Sequence, residues 1–178
     1  VESEQAFVRT PLRWLRDYVD FTLSPEELAS SLTRSGNEVE RIDRIGDDWS
    51  QIVVGRIDAV ERAPRSDRLL LVNVDIGQGT ARIVTGATNV AAGDHVPVAL
   101  PGATLGRGED RVVIQPRKFS GVQSDGMLCS GLELGVDGDA EGIMILRGDP
   151  RPGTPFSELA GDVVLEFAIT PNRSDCLS

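Results

Sequence analysis

The stretch from Gln51 to Gly77, QIVVGRIDAVERAPRSDRLLLVNVDIG, contains two alternating runs joined by a segment in which Arg62, Arg65 and Arg68 surround Pro64. In the first run Val53, Gly55, Ile57 and Ala59 share one side, while Arg56 and Asp58 take the other. In the second, Leu70, Val72, Val74 and Ile76 alternate with Asn73 and Asp75. A period of two places successive side chains on opposite faces, so each run predicts a half-buried strand. Further strands are expected at 82–85, 95–100, 111–115 and 142–146, separated by Gly-Gln-Gly, Ala-Gly-Asp, Pro-Gly and Gly-Arg-Gly turns. Short strands at even spacing with such turns predict a small closed barrel.

The flanks read differently. Thr10-Pro11 offers a cap and a first helical residue before residues 12–19, where Leu12, Leu15 and Val19 fall on one helical face. Ser24, Pro25 and Glu27 form a capping-box signature, and Gly36 offers a left-handed stop, so a second helix is expected between them. From Asn37 the period changes to two. After Pro150 a short helix is expected at 154–160, then a strand at 163–169 and a turn at 170–175. Val163, Leu165 and Phe167 have no apolar partner in their own segment, which predicts packing against the N-terminal helices. The expected organisation is a discontinuous small α+β domain, residues 1–40 with 151–178, into which a barrel at 41–150 is inserted.

The chain has 178 residues, enough for one domain or two small ones, and its 40% hydrophobic content can fill a core. Its longest apolar run, residues 69–72, is far short of the roughly 20 residues of a membrane span, and acids head the sequence, so no membrane partner and a cytoplasmic location are expected. Cys129 and Cys176 make no disulfide framework. The net charge of −10 opposes attraction to a polyanion, because Lys and Arg supply most non-specific affinity for nucleic acid. The charge is uneven, however. Residues 1–40 hold four arginines against eight acids, whereas residues 41–150 hold twelve basic residues against sixteen acids.

A cysteine nucleophile needs a base, and the single histidine, His95, opens a strand with no third group to orient it. Two cysteines and one histidine at scattered positions match no zinc spacing. The glycine-rich segments 77–80 and 102–108 lack the Lys-Ser/Thr ending of a phosphate loop and read as hairpin turns. Cys129 is therefore expected to be packing, and no catalytic or metal site is expected. Arg62, Arg65 and Arg68, with Arg107, Arg111, Arg117 and Lys118 later, would form a basic patch if they met on a barrel rim. Trp49 and Phe119 are the aromatics of the barrel segment, which leaves little for base stacking.

Four stretches in order are highly specific: Pro11-Leu-Arg-Trp-Leu-Arg-Asp-Tyr-Val19 with the Ser24-Pro-Glu-Glu-Leu helix; Ile83-Val-Thr-Gly-Ala-Thr-Asn-Val90 with Val98-Ala-Leu-Pro-Gly-Ala103; Gly121-Val-Gln-Ser-Asp-Gly-Met-Leu-Cys-Ser130 with Glu133-Leu-Gly135; and Thr170-Pro-Asn-Arg-Ser-Asp-Cys-Leu-Ser178. Over nearly all its length the chain thereby resembles the N-terminal part of the bacterial phenylalanyl-tRNA synthetase β subunit. The resemblance implies an OB-fold tRNA-binding module inserted into a small helical domain. It places Asn89, Lys118, Ser124, Gly126 and Met127 on loops around the RNA-facing side, with Leu128 and Cys129 directed inward. It also implies a non-catalytic accessory role in an aminoacyl-tRNA synthetase, a ligase of protein biosynthesis. ATP and magnesium would serve the full enzyme and no cofactor this segment. The α subunit would be the partner in an α2β2 heterotetramer, with weak tRNA contact by the segment alone. A docking module for subunit assembly is the alternative.

The sequence departs from the family pattern in places. The usual His-Pro-Asn-Ala-Asp-Arg-Leu reads Ala63-Pro-Arg-Ser-Asp-Arg-Leu69, and the usual Arg before Gly-Val is Ser120, so one basic residue is gained and one lost. The usual Cys-Gly-Ala-Pro-Asn-Val reads Thr85-Gly-Ala-Thr-Asn-Val90, which removes a thiol, and Ser174 replaces a proline. Residues 1–7 precede the usual family start, with Val8 at the place of the first methionine, and are expected to be extra.

Overall fold

The structure, a computed structural model, describes residues 6–106, 111–136 and 142–169. The chain divides into two compact units, Val1–Gly46 with Ala160–Ser178, and Asp47–Leu159.

The first unit is a three-stranded antiparallel sheet with two helices on one face. Strand β1 (Ala6–Pro11) leads directly into helix α1 (Leu12–Arg16), and helix α2 (Pro25–Arg34) follows. Pro11 caps α1 from an extended conformation, so the helix starts one residue later than expected and lasts five residues. Val19, expected on its buried face, is exposed. Helix α2 forms as read: the Ser24 hydroxyl accepts from the Glu27 amide, the Glu27 carboxylate accepts from the Ser24 amide, and Gly36 takes φ +95° just beyond the end. Strands β2 (Val39–Ile45) and β12 (Asp162–Ile169) complete the sheet in the order β1-β12-β2. Leu165 of β12 is fully buried among Leu12, Leu28 and Ala29, with Val163 and Phe167 against the same cluster. On the opposite face Glu166 stands between Arg9 and Arg41 in register and is bridged to both, and Asp43 joins the network.

Two expectations change here. Residues 6 and 7 are part of the first unit's sheet, where they pair with Ile169 and Ala168, whereas residues 1–5 lie outside the described residues. Residues 41–46 follow the sheet rather than the barrel, because β2 hydrogen-bonds to β12. The turn expected at 170–175 lies outside the described residues.

The second unit is built from β3 (Ile52–Arg62), β4 (Leu70–Asp75), β5 (Thr80–Thr85), β6 (His95–Ala99), β7 (Thr104–Leu105), β8 (Val112–Val113), β9 (Arg117–Phe119), β10 (Val122–Ser124) and β11 (Met127–Leu128), with short helices α3 (Gly131–Leu134) and α4 (Phe156–Ala160). Five strands form one antiparallel sheet, β11-β6-β3-β4-β5. The sheet nearly closes on itself. The Asp125 amide donates to the Arg82 carbonyl at 2.8 Å, and the Ser124 hydroxyl accepts from the Val84 amide at 3.0 Å, which joins β5 to the end of β10. The interior holds Ile57, Val72, Val74, Ala81, Ile83, Val96, Val98 and Leu128, as an OB-type barrel requires.

The alternation in 51–77 marks the barrel interior correctly up to Ile57. There a register shift moves Val60, not Ala59, against the core. Ile52 and Val54, on the supposedly outer side, are also buried, because residues 153–155 run alongside β3: the Val54 amide donates to Thr154 and the Gly153 amide to Val54. This is why residues 151–159 belong with the barrel. Gly55 permits the tight interior, since a Cβ there would stand 2.5 Å from Val74 and 2.6 Å from Val98. Residues 142–146 form no strand; the Met144 and Leu146 amides each donate one hydrogen bond, to the Cys129 and His95 carbonyls respectively.

Candidate nucleic-acid interface

Arg62 ends β3, and the seven residues that follow are folded by Ser66, whose hydroxyl accepts from the amides of Arg68 and Leu69. Arg65 in this loop adopts φ +61°, a left-handed conformation unusual for a residue with a side chain. More than fifty residues later, β9 and β10 are joined by Ser120 and Gly121, both at positive φ (51° and 84°), the two-residue turn whose twist matches a hairpin. The two loops meet: a Cβ on Gly121 would lie 4.0 Å from a guanidinium nitrogen of Arg65. Arg65 therefore stands over the hairpin that carries Arg117 and Lys118. Arg62, Arg65, Arg68, Arg117 and Lys118 are all exposed, and among the described residues none is ion-paired. Arg111 leaves the expected patch, being bridged to Asp48 at 2.9 Å, and Arg107 lies outside the described residues.

The other four residues expected on the RNA-facing side have partners or packing within the barrel. Ser124 is 2% exposed, and its hydroxyl donates to the Gly126 carbonyl while accepting from Val84, so it closes the barrel. The Asn89 amide donates to the Ile143 carbonyl at 2.8 Å and accepts from the Ile143 amide at 3.1 Å, tethering the chain after residue 141. Gly126 lets β6 approach, since a Cβ would stand 2.7 Å from the Ala99 carbonyl oxygen. Met127 is half-buried in β11. Buried polar groups need partners, and the strand arrangement supplies them from residues far apart in sequence.

Cys129 is fully buried, and burial first, then the nearby Glu133 carboxylate, pushes its thiol up from 9.0 to about 12. A thiol so held is not a nucleophile at neutral pH. His95 is 7% exposed; its Nε2 lies 3.1 Å from Asp149 without the angle of a hydrogen bond. Trp49 is likewise buried and donates to the Leu134 carbonyl.

At Arg117 and Phe119 of the hairpin a groove of about 510 Å³ opens. Val84, Val112, Val113, Met127 and Ile143 line it, Arg117 and Phe119 stand at it, and Glu133 is in its wall. Val112 and Val113 are each 55% exposed and Phe119 39%. The Glu133 carboxylate is held by the Ser130 amide and hydroxyl, both at 2.7 Å, in a second capping box. Sequence reasoning passed over this groove because its residues come from five separate segments. The one local signal was Phe119 beside Lys118 at a glycine turn.

The second unit is thus a nearly closed β-barrel with exposed cations, without ion-pair partners among the described residues, on the 62–69 loop and the β9–β10 hairpin. The chain belongs to the family described as putative tRNA binding domain, whose model matches residues 52–155. It is 43% identical to the phenylalanine–tRNA ligase beta subunit of Dehalococcoides mccartyi over 96% of this chain and 21% of that protein. It is 46% identical to the corresponding subunit of Syntrophotalea carbinolica over 93% of this chain and 20% of that protein. The chain thus spans about a fifth of the length of the curated relatives it matches. The solved structure of a MetRS related protein from Pyrococcus horikoshii superposes with a TM-score of 0.43 at 22% identity, covering 58% of this chain and 86% of that one.

Proposed function

We propose that the barrel rim formed by Arg62, Arg65, Arg68 and Lys118 contacts tRNA phosphates, as an accessory module of a phenylalanine–tRNA ligase β subunit. The convergence of Arg65 on the β9–β10 hairpin carries this reading, because it gathers unpaired cations from distant segments onto one edge of a tRNA-binding-family barrel. The module is read as non-catalytic, which the burial of Cys129 and its raised thiol pKa support. Attachment of phenylalanine to tRNA with ATP and magnesium belongs to the full enzyme, in company with an α subunit in an α2β2 assembly in the cytoplasm. Asn89 and Ser124 serve this reading by holding the barrel together, while Gly126 and Met127 lie in the wall of the groove beside Phe119.

A chain of net charge −10 with a small basic rim should bind weakly, with Kd about 10⁻⁵–10⁻⁴ M at physiological salt. With three or four phosphates neutralised, the log–log salt slope should be about −2 to −4. Titrating tRNA into the protein at two salt concentrations, with Arg65, Arg68 and Lys118 changed together to Ala, tests this. The variant should lose binding and flatten the slope; equal binding at both salts would make the rim mere solvated surface. A docking role is favoured by one observation, the exposed Trp14 and Tyr18 rings, 4.9 Å apart beside exposed Val19. Unchanged tRNA binding in the triple variant would leave that reading standing.

A further inference from the structure

Phosphate contact explains the rim but not the groove. The groove's walls are apolar, its volume of about 510 Å³ lies in the range of small-ligand sites, and Phe119 leaves 39% of its surface exposed where the walls begin. Its charges are of both signs: Arg117 lines it with Phe119, Lys118 between them is exposed on β9 outside the lining, and Glu133 is fixed in the wall by Ser130. A phosphate deep in the groove would lose water and face that carboxylate, whereas one at the rim meets exposed cations with no ion-pair partner among the described residues. Only an uncharged flat body attached to a phosphate chain suits both places.

The geometry points to an unstacked tRNA nucleobase in this groove, lying against the Phe119 ring while Arg65, Arg117 and Lys118 hold the flanking phosphates. This rests on the RNA-contact reading above and narrows it. The RNA must be single-stranded there, because paired bases keep their faces stacked inside the helix. The exposed aromatic side chain with cations beside it is the arrangement by which single strands are held with little sequence preference. It also revises the expectation, drawn from the scarcity of aromatics, that stacking has little part: one ring suffices when the fold presents it. Charge complementarity selects nucleic acid over an apolar peptide, since the cations would stay unpaired against a neutral partner.

The test uses the whole chain, with a short labelled oligouridylate and a labelled RNA duplex followed by fluorescence anisotropy. Phe119→Ala should weaken oligouridylate binding by about tenfold, the scale of one base–aromatic stack, and leave duplex binding and the salt slope unchanged. Phe119→Tyr should bind as the parent does. Thermal unfolding of Phe119→Ala near the parent midpoint excludes misfolding, as expected for a ring this exposed. If Phe119→Ala binds oligouridylate normally while Arg65→Ala and Lys118→Ala weaken both RNAs, the base site is overturned and the phosphate rim stands. If none of these variants alters binding, both fall. Equal weakening of oligouridylate and duplex by Phe119→Ala, or displacement of oligouridylate by an acidic apolar peptide but not by UMP, also overturns the base site.

Discussion

At the scale of the residue, the groups with most chemical promise turn out to be the most confined. Cys129 has its sulfur 3.8 Å from the Met127 carbonyl and no water-accessible surface, and Ser124 spends its hydroxyl on two backbone partners. A small polarisable side chain in a closed core contributes packing, and its reactivity is suppressed by the same burial. Cys129→Ser should therefore lower stability by about 1–2 kcal/mol near neutral pH and leave RNA binding unchanged. The pH dependence follows from the raised pKa. Below 9.0 the thiol is protonated in both states; between 9.0 and about 12 the unfolded chain ionises while the folded one does not, so the parent loses stability as pH rises. The serine variant lacks this loss, and its deficit should shrink over that interval in urea unfolding measured at stepped pH. A deficit constant with pH would show that the thiol is not held protonated.

At the scale of the element, the interface depends on two turns with unusual backbones. Ser120 and Gly121 let β9 turn straight into β10, and Arg65 accepts left-handed φ to reach over them. Asn, which the family pattern carries at the position of Arg65, tolerates that conformation better than Arg because its short side chain hydrogen-bonds locally. Holding Arg there costs on the order of 1 kcal/mol, offset elsewhere in the fold. Arg65→Asn should therefore raise stability by up to about 1 kcal/mol while reducing the salt slope of tRNA binding by about one phosphate. Thermal denaturation and a salt titration of the same variant read both effects. A variant both less stable and equally tight would show that Arg65 is placed by packing rather than for an anion. The two capping boxes show the opposite case, local signals without strain: hydrogen bonds from the Ser24 amide and hydroxyl hold the Glu27 carboxyl below its ordinary value.

At the scale of the whole molecule, the first unit is assembled from both ends of the sequence. Strand β12 is central, so β1 and β2 each depend on it and not on one another. Its apolar face, Val163, Leu165 and Phe167, packs under both helices. Leu165→Ala should cost about 2–5 kcal/mol, the range for a fully buried leucine, within this unit. Amide hydrogen exchange should show the loss in β1, β2 and β12. Unaltered protection of β1 and β2 would mean that the sheet does not rest on this contact. No helix among the described residues is long and apolar enough to cross a membrane.

The sequence by itself determined what depends on neighbours a few residues apart. The capping box at Ser24 and Glu27, the alternation through Ile57 and Leu70–Ile76, and the apolar face of β12 are periodic or local, so a linear reading finds them. The spaced glycine turns likewise marked a barrel. Only the tertiary structure decided which strands pair and which polar groups are consumed by closure. Residues 41–45 alternate as a barrel strand would, yet their partner is more than a hundred residues away; periodicity names a strand but not its neighbour. Asn89 and Ser124 look like free polar side chains until closure brings Ile143 to the one and the Val84 amide, donating, to the other. The groove has the same origin. Phe119 and Glu133 line one opening, and Arg65 reaches the turn beside Phe119, only because the strands bring three distant segments together.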